Sequence, residues 1–318
     1  MTEQAARELW LRRVSSIKRH GRSGERAVHK PLLLLYALGR FQDGERSVPW
    51  TTAEPDLQRM LDDFGPPNAT KPNHPFRRLA NDDQLWDLRA ISGDLPGVNA
   101  SPAQLRAAGV VGSFSDDFVA ALEGDPGLSI LLARFLLEDN WPPSLHESIA
   151  LAVGLNLDSA ERELVRERLD LVVRQRRDPS FRPRILQAYE YRCAVCGYDG
   201  WLDRSAVGLE AAHVRWWSSD GPDTVDNGMA VCSLHHVLFD GGALGITADY
   251  RVTISKRFVG RSPSSRQLVV ALAGSDLLLP QAGEPPPRIE HVEWHAEQVF
   301  RGPARTASPG ASVNSADR

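Results

Sequence analysis

Apolar residues recur at helical intervals from the start of the chain: over residues 4–19, Leu9, Trp10, Val14 and Ile17 fall on one face. The stretch from Lys30 to Phe41 contains LLLLYALG and predicts a more apolar helix, with Pro31 in the first turn, where proline is tolerated. SVPW at 47–50 predicts a short strand, and TAEPDLQRMLDDFG a helix closed by Gly65. NHPFRRLANDDQLWDLRA reads as a strand, an Asn-Asp-Asp turn and a second strand. Three or four helices follow between Ala103 and Leu155, separated by VVGSFSDD, GDPG and NWPPS. Beyond Asp158 the charged SAERELVRERLDLVV predicts a helical connector, FRPRILQAYEY a short helix, and IEHVEWHAEQVFR a last one.

This pattern predicts an α+β chain: a helix-rich domain with a small antiparallel sheet over 1–156, a helical linker over 157–180, a second domain over 181–301, and a small, polar, disordered tail over 302–318. A length of 318 residues exceeds one ordinary core and suits two domains. The longest apolar run is far shorter than the ~20 residues of a membrane span, and the first residues carry no apolar signal segment, so a cytoplasmic protein is expected. The formal charge of −4 leaves nucleic-acid binding to local basic runs, of which RRVSSIKRHGRSGER and RQRRDPSFRPR are two.

Three cysteines cannot all pair as disulfides, and their spacing points elsewhere. Cys193 and Cys196 form CxxC, and Cys232 with His235 forms CxxH. A two-residue spacer lets one turn aim both its ligands at a metal, and the two pairs together make a tetrahedral zinc set with no cysteine left over. A redox pair fits less well, because no βαβ pattern surrounds the motif.

Between and after the pairs stand LEAAHVRWW and DNGMAVCSLHHVLFDGG. With His213, Asn227 and His236 in that order, Tyr191 to Gly242 resembles the HNH endonucleases, the ββα-metal nucleases. A phosphodiester is hydrolysed when a group takes the proton of the attacking water and a cation offsets charge on the phosphate. His213 suits the general base. His236 could hold a catalytic magnesium or manganese, while the zinc of Cys193, Cys196, Cys232 and His235 is structural. The resemblance gives Asn227 the task of fixing the loop that orients His213. Many members of this family place Asp or His just before the base, where this chain has Ala212. Glu210, the nearest carboxylate on that strand, is a candidate ligand of the same ion, but strand alternation sets it on the face opposite His213, so reaching the ion would take an irregular turn. Asp240 reads as a structural hydrogen-bond acceptor, Trp216 and Trp217 as packing residues, and His20, His291 and His295 as core or surface histidines.

In the first domain, VHKPLLLLYALGRF, VPW, FGPP, HPFRRLANDDQLWDL, VGSF and SLHESIALAVGL, in that order, are similar to the sulfur-binding domain. Joined to an HNH domain, it resembles the phosphorothioation-dependent McrA-type (type IV) restriction endonucleases. That resemblance implies double-stranded DNA carrying phosphorothioate as partner, and a sulfur and phosphate site formed by His29, Lys30, His74, Pro75, Phe76, Arg77 and Arg78, with Ser113 of the GSF loop nearby. Sulfur is larger, softer and less hydrated than oxygen, so a shallow apolar concavity flanked by cations would select it. Two other readings stay open: an HNH restriction nuclease that reads another mark, such as a methylated base, or an unmodified sequence, and an inactive DNA-binding zinc protein. One active site per chain leaves a homodimer or two separate nicks as the routes to a double-strand cut.

Overall fold

A computed structural model describes residues 3–17, 28–67, 71–82, 84–157 and 178–306. The connector expected over 158–177 and the tail beyond 306 lie outside the described residues. The chain divides into two compact units, Met1–Gln175 and Arg176–Arg318. No helix among the described residues is long and apolar enough to cross a membrane.

The first unit packs helices around a small sheet. Helix α1 (Glu3–Ser15) buries Trp10, Leu11 and Val14. α2 (His29–Gln42) is buried along an unbroken run from Pro31 to Gly39, which explains why its sequence shows so little polar face. Strand β1 (Val48–Pro49) leads into α3 (Trp50–Phe64), which carries Pro55 inside it. After α4 (Asn73–Arg78) come β2 (Trp86–Arg89), α5 (Pro102–Ala107) and β3 (Val111–Phe114). Helices α6 (Asp116–Gly124), α7 (Pro126–Asn140) and α8 (Pro143–Ala152) complete the unit. The sheet order is β1-β3-β2, with both pairings antiparallel.

Two expectations are corrected here. HPFRR is helix α4, not a strand: Phe76 and Leu79 stand three apart, at helical spacing, and both are fully buried. Pro72 and Pro75 sit at the helix N-cap and in its first turn, where a missing N–H costs nothing. VGSF, read as a loop, is the central strand β3, in which Ser113 pairs with Asp87. Gly112 in that strand is a matter of space. A Cβ there would lie 2.1 Å from the Trp86 ring and 3.0 Å from Phe76. Around it Trp50, Phe76, Trp86, Phe114, Phe118 and Trp10 form a continuous chain of aromatic contacts with centroids 4.4–5.9 Å apart.

The second unit begins with helix α9 (Phe181–Ala188) and a hairpin of β4 (Trp201–Leu202) and β5 (Ser205–Ala206). Strands β6 (Leu209–His213) and β7 (Gly228–Cys232) pair antiparallel, with Leu209 opposite Cys232 and His213 opposite Gly228. Helix α10 (Ser233–Asp240) follows β7 directly and packs on both strands. The antiparallel pair β8 (Leu244–Ile246) and β9 (Val252–Ile254), then α11 (Pro263–Leu268) and α12 (Ile289–Gln298), complete it. One buried cluster runs from Phe181 and Ile185 through Cys193, Ala212 and Met229 to Phe239, Ile254 and Val292.

Candidate nuclease site and nucleic-acid interface

The four sequence-predicted metal ligands converge. One donor atom from each of Cys193, Cys196, Cys232 and His235 lies within 4.8 Å of every other. Tetrahedral zinc at ~2.3 Å from sulfur requires sulfurs a little under 4 Å apart, so the donor set fits that ion. His235 Nδ1 stands 3.6 Å from Cys193 Sγ and 3.1 Å from Cys232 Sγ. Its Nε2 donates to the Leu268 carbonyl at 2.9 Å, which leaves Nδ1 as the coordinating nitrogen. Burial opposes a charged His235, yet its bonds to Cys193 and Cys232 carry it up to about 10. Cys232 is driven far below the ordinary thiol range by Cys193 and Cys196, and Cys196 far above it by Cys193 and Cys232. Cys193 and His235 of this donor set are buried, and a divalent cation bound there would displace the protons the set still carries.

This cluster brackets the ββα element. CxxC precedes β6, and CxxH spans the junction of β7 and α10, placing His213 at the end of β6 and His236 on α10. Asn227, fully buried, ties the intervening loop: its Oδ1 accepts from Arg215 N at 2.8 Å, and its Nδ2 donates to the carbonyls of Arg215 at 3.0 Å and Pro222 at 2.9 Å.

The two histidines of the motif have different partners. His213 Nε2 lies 2.6 Å from Asp223 Oδ1, and its ring stacks on Phe181 with centroids 4.1 Å apart and planes 13° from parallel. His236 lies between two carboxylates, with Glu210 at Nδ1 and Asp240 3.2 Å from Nε2. Burial works against charge on His236, but the bonds to Asp240 and Glu210 raise it to about 10. The bond from His236 leads the causes that hold the Glu210 carboxyl down at about 2. Glu210 is the more exposed carboxylate, with 43 % of its side chain accessible, and Asp240 the buried one, at 2 %. Glu210 thus reaches His236 with no irregular turn, while His213, three residues on, turns to Asp223 and Phe181. Ala212, in the position just before His213, is fully buried. Trp216 is buried against Trp294.

Sequence reasoning missed Asp223 and Phe181. Asp223 lies within the HNH-like stretch but is not one of the motif's named residues, and only the fold brings Phe181, which precedes the first cysteine, onto the ring of His213.

In the first unit, α2 and α4 pack together, and Phe76 of α4 lies beside Gly112 of β3, so the three predicted segments are neighbours. Lys30 is ion-paired with the buried Asp82. Arg77 Nε donates to the Gly97 carbonyl at 3.2 Å and Arg78 to Asn99 Oδ1 at 3.4 Å, while Asn73 Nδ2 donates to the Ala100 carbonyl at 2.8 Å. These bonds fasten α4 to the loop before α5. His74 is held below its ordinary value by burial and by the charges of Arg78 and Lys71, so its ring is neutral near pH 7. His29, Lys30, His74, Arg77, Arg78 and Ser113 are each partly accessible, and Pro75 is buried. Phe76 is a correction: it is a core residue with no accessible surface, withdrawn from any ligand at this face.

Comparison with known proteins follows the same division. Residues 7–158 match the family "ScoMcrA-like, DNA sulfur-binding domain", and residues 193–247 match the family "HNH endonuclease". No curated protein matches the chain. Among solved structures, the sulfur-binding domain of SprMcrA complexed with phosphorothioated DNA is 23% identical, with a TM-score of 0.40 over 49% of this chain and 98% of that one. The corresponding domain of ScoMcrA, also complexed with phosphorothioated DNA, is 22% identical, with a TM-score of 0.39 over 46% and 95%. The modification-dependent restriction endonuclease TagI is 24% identical, with a TM-score of 0.30 over 40% of each chain. The chain therefore carries a region that matches a DNA sulfur-binding domain followed by one that matches an HNH endonuclease domain, and the second match supports a nuclease.

Proposed function

We propose that this protein is a modification-dependent restriction endonuclease that binds phosphorothioated double-stranded DNA through its first unit and hydrolyses nearby phosphodiester bonds with its second. The observation that carries the reading is the ββα element itself: His213 at the end of β6, its loop tied by Asn227, on a frame whose four metal donors converge. Cys193, Cys196, Cys232 and His235 would hold a zinc ion that fastens the element together and supplies no chemistry to the reaction.

His213 is the general base, taking the proton of the water that attacks phosphorus. Glu210 and His236 would hold one magnesium or manganese ion, with Asp240 accepting from His236 Nε2 so that Nδ1 faces the ion beside Glu210. When bound there, such an ion would offset charge on the scissile phosphate.

The recognition half rests on the family match and on a surface chemically suited to sulfur. The neutral ring of His74 offers a weakly hydrated contact, and Lys30, Arg77 and Arg78 offer cations for the phosphate charge. One HNH site per chain leads us to propose that a double-strand cut uses two chains.

The test uses one duplex with a single phosphorothioate and its unmodified twin, each incubated with the protein with and without manganese. The reading expects cleavage of the marked duplex alone, only with manganese, and none from His213→Ala protein that still binds. Equal binding of both duplexes would overturn the recognition half, and selective binding without cleavage would overturn the catalytic half.

A further inference from the structure

The ring of His213 is fixed on an edge by Asp223 and on a face by Phe181, neither of which is among the motif residues His213, Asn227 and His236. Asp223 Oδ1 lies 2.6 Å from Nε2, and both side chains are largely buried, at 16 % and 15 % exposure. The other oxygen of Asp223, Oδ2, accepts the backbone N–H of Asp178 at 2.8 Å, and the Asp223 carbonyl accepts from Arg184 Nη2 at 2.8 Å. Arg184 in turn bonds Asp178 Oδ2 at 2.8 Å. The carboxylate is therefore immobilised from behind by the segment that opens the second unit, and Phe181 of that segment covers the imidazole.

We infer that Asp223 is a positioning residue for His213, and that Asp178, Phe181 and Arg184 hold the pair in register. This rests on the reading of His213 as general base. An ionised carboxylate only accepts hydrogen bonds, so it selects the tautomer with the proton on Nε2 and leaves the lone pair on Nδ1. In the reaction, one proton of the attacking water passes to Nδ1 and the water oxygen bonds to phosphorus. The phosphorus–oxygen bond to the leaving sugar then opens, and its oxygen takes a proton from solvent. Asp223 accepts from Nε2 throughout and stabilises the imidazolium that forms, the division of labour between carboxylate and histidine known from hydrolytic triads. Phe181 restricts rotation of the ring out of that geometry.

The test compares Asp223→Asn, Asp223→Ala and His213→Ala in the full chain. Three readings are taken: the single-turnover cleavage rate with manganese, duplex affinity, and the His213 ring nitrogens in long-range proton–nitrogen correlation spectra. Asparagine keeps the size but can donate to Nε2, so it drives the proton onto Nδ1. Asp223→Asn is expected to slow cleavage on the order of 10²- to 10⁴-fold with duplex affinity unchanged. Its spectrum is expected to change from the Nε2–H to the Nδ1–H pattern. Asp223→Ala is expected to slow cleavage as well and to show a mixture of tautomers. An Asp223→Asn protein that keeps the Nε2–H pattern, or that cleaves within about threefold of the parent, overturns the proposal. Cleavage by His213→Ala protein at the parent rate overturns the base reading instead, and the ring spectrum still decides whether Asp223 sets the tautomer.

Discussion

Removing the zinc proposed for the Cys3His clamp tests how far the second unit depends on it. Two of the four donors, Cys193 and His235, are 0% and 1% accessible, so the metal-free unit must bury them without their natural partner. Each then has only neighbouring ligands and the backbone as partners, a minor part of the loss. The larger loss is the ion itself, since structural zinc contributes about 10–16 kcal/mol of apparent folding free energy. A domain of this size has about 5–15 kcal/mol of net stability, so the loss equals or exceeds the whole margin. Cys193 also belongs, with Ala194 and Val195, to the core cluster containing Ala212 and Met229, and unfolding there spreads into β6 and β7. The assay is a chelator titration with metal content measured in parallel and hydrogen exchange read by peptide. Amides of β6, β7 and α10 should lose protection as zinc leaves, while those of α2 and α7 in the first unit keep theirs. Cys232→Ser should do the same without chelator. A zinc-free protein with full protection across β6 and β7 would refute the reasoning.

Two further predictions concern individual side chains. Phe76→Ala removes a ring packed between Trp50 and Trp86 and should destabilise the first unit by about 3–5 kcal/mol; denaturant melts of that unit check this, and a variant of parental stability that loses only DNA binding would return Phe76 to the ligand surface. His236 is raised from 6.5 to about 10, so the stability its charge contributes is full below about pH 6.5 and fades as pH climbs towards 10. An ion that binds Nδ1 must displace that proton, so manganese affinity should rise with pH across the same window. Calorimetry in buffers of different ionisation heat should register about one proton released per ion at pH 7.5, and no release would remove His236 from the ion's ligands.

The clamp was legible because coordination chemistry is local: two-residue spacers aim pairs of ligands wherever the pairs lie in the chain. The ββα order was legible for the same reason, since the histidines, Asn227 and the second cysteine pair fall within one short stretch. HPFRR misled because a six-residue segment with an aromatic and alternating charges fits either period, and burial of both Phe76 and Leu79 decided for the helix. The partners of His213 were invisible, as Asp223 belongs to a polar turn and Phe181 to a basic run that reads as a solvated face. Glu210 was visible, but its partner was not: strand alternation separates it from His213, and that same alternation sets it against His236.

Gly228 shows what this arrangement means for dividing the chain. Its φ of −123° suits any residue, yet a Cβ there would lie 2.2 Å from Ile185 Cδ1 and 3.1 Å from the Phe181 ring. The glycine beside the motif asparagine is thus a socket for α9, a helix lying upstream of every metal donor. A nuclease segment excised at Cys193, where the family match begins, would leave that socket empty and His213 without its stacking partner. The smallest transplantable cutting module therefore starts at Asp178, and a fusion that grafts it onto another recognition domain should place its junction before that residue.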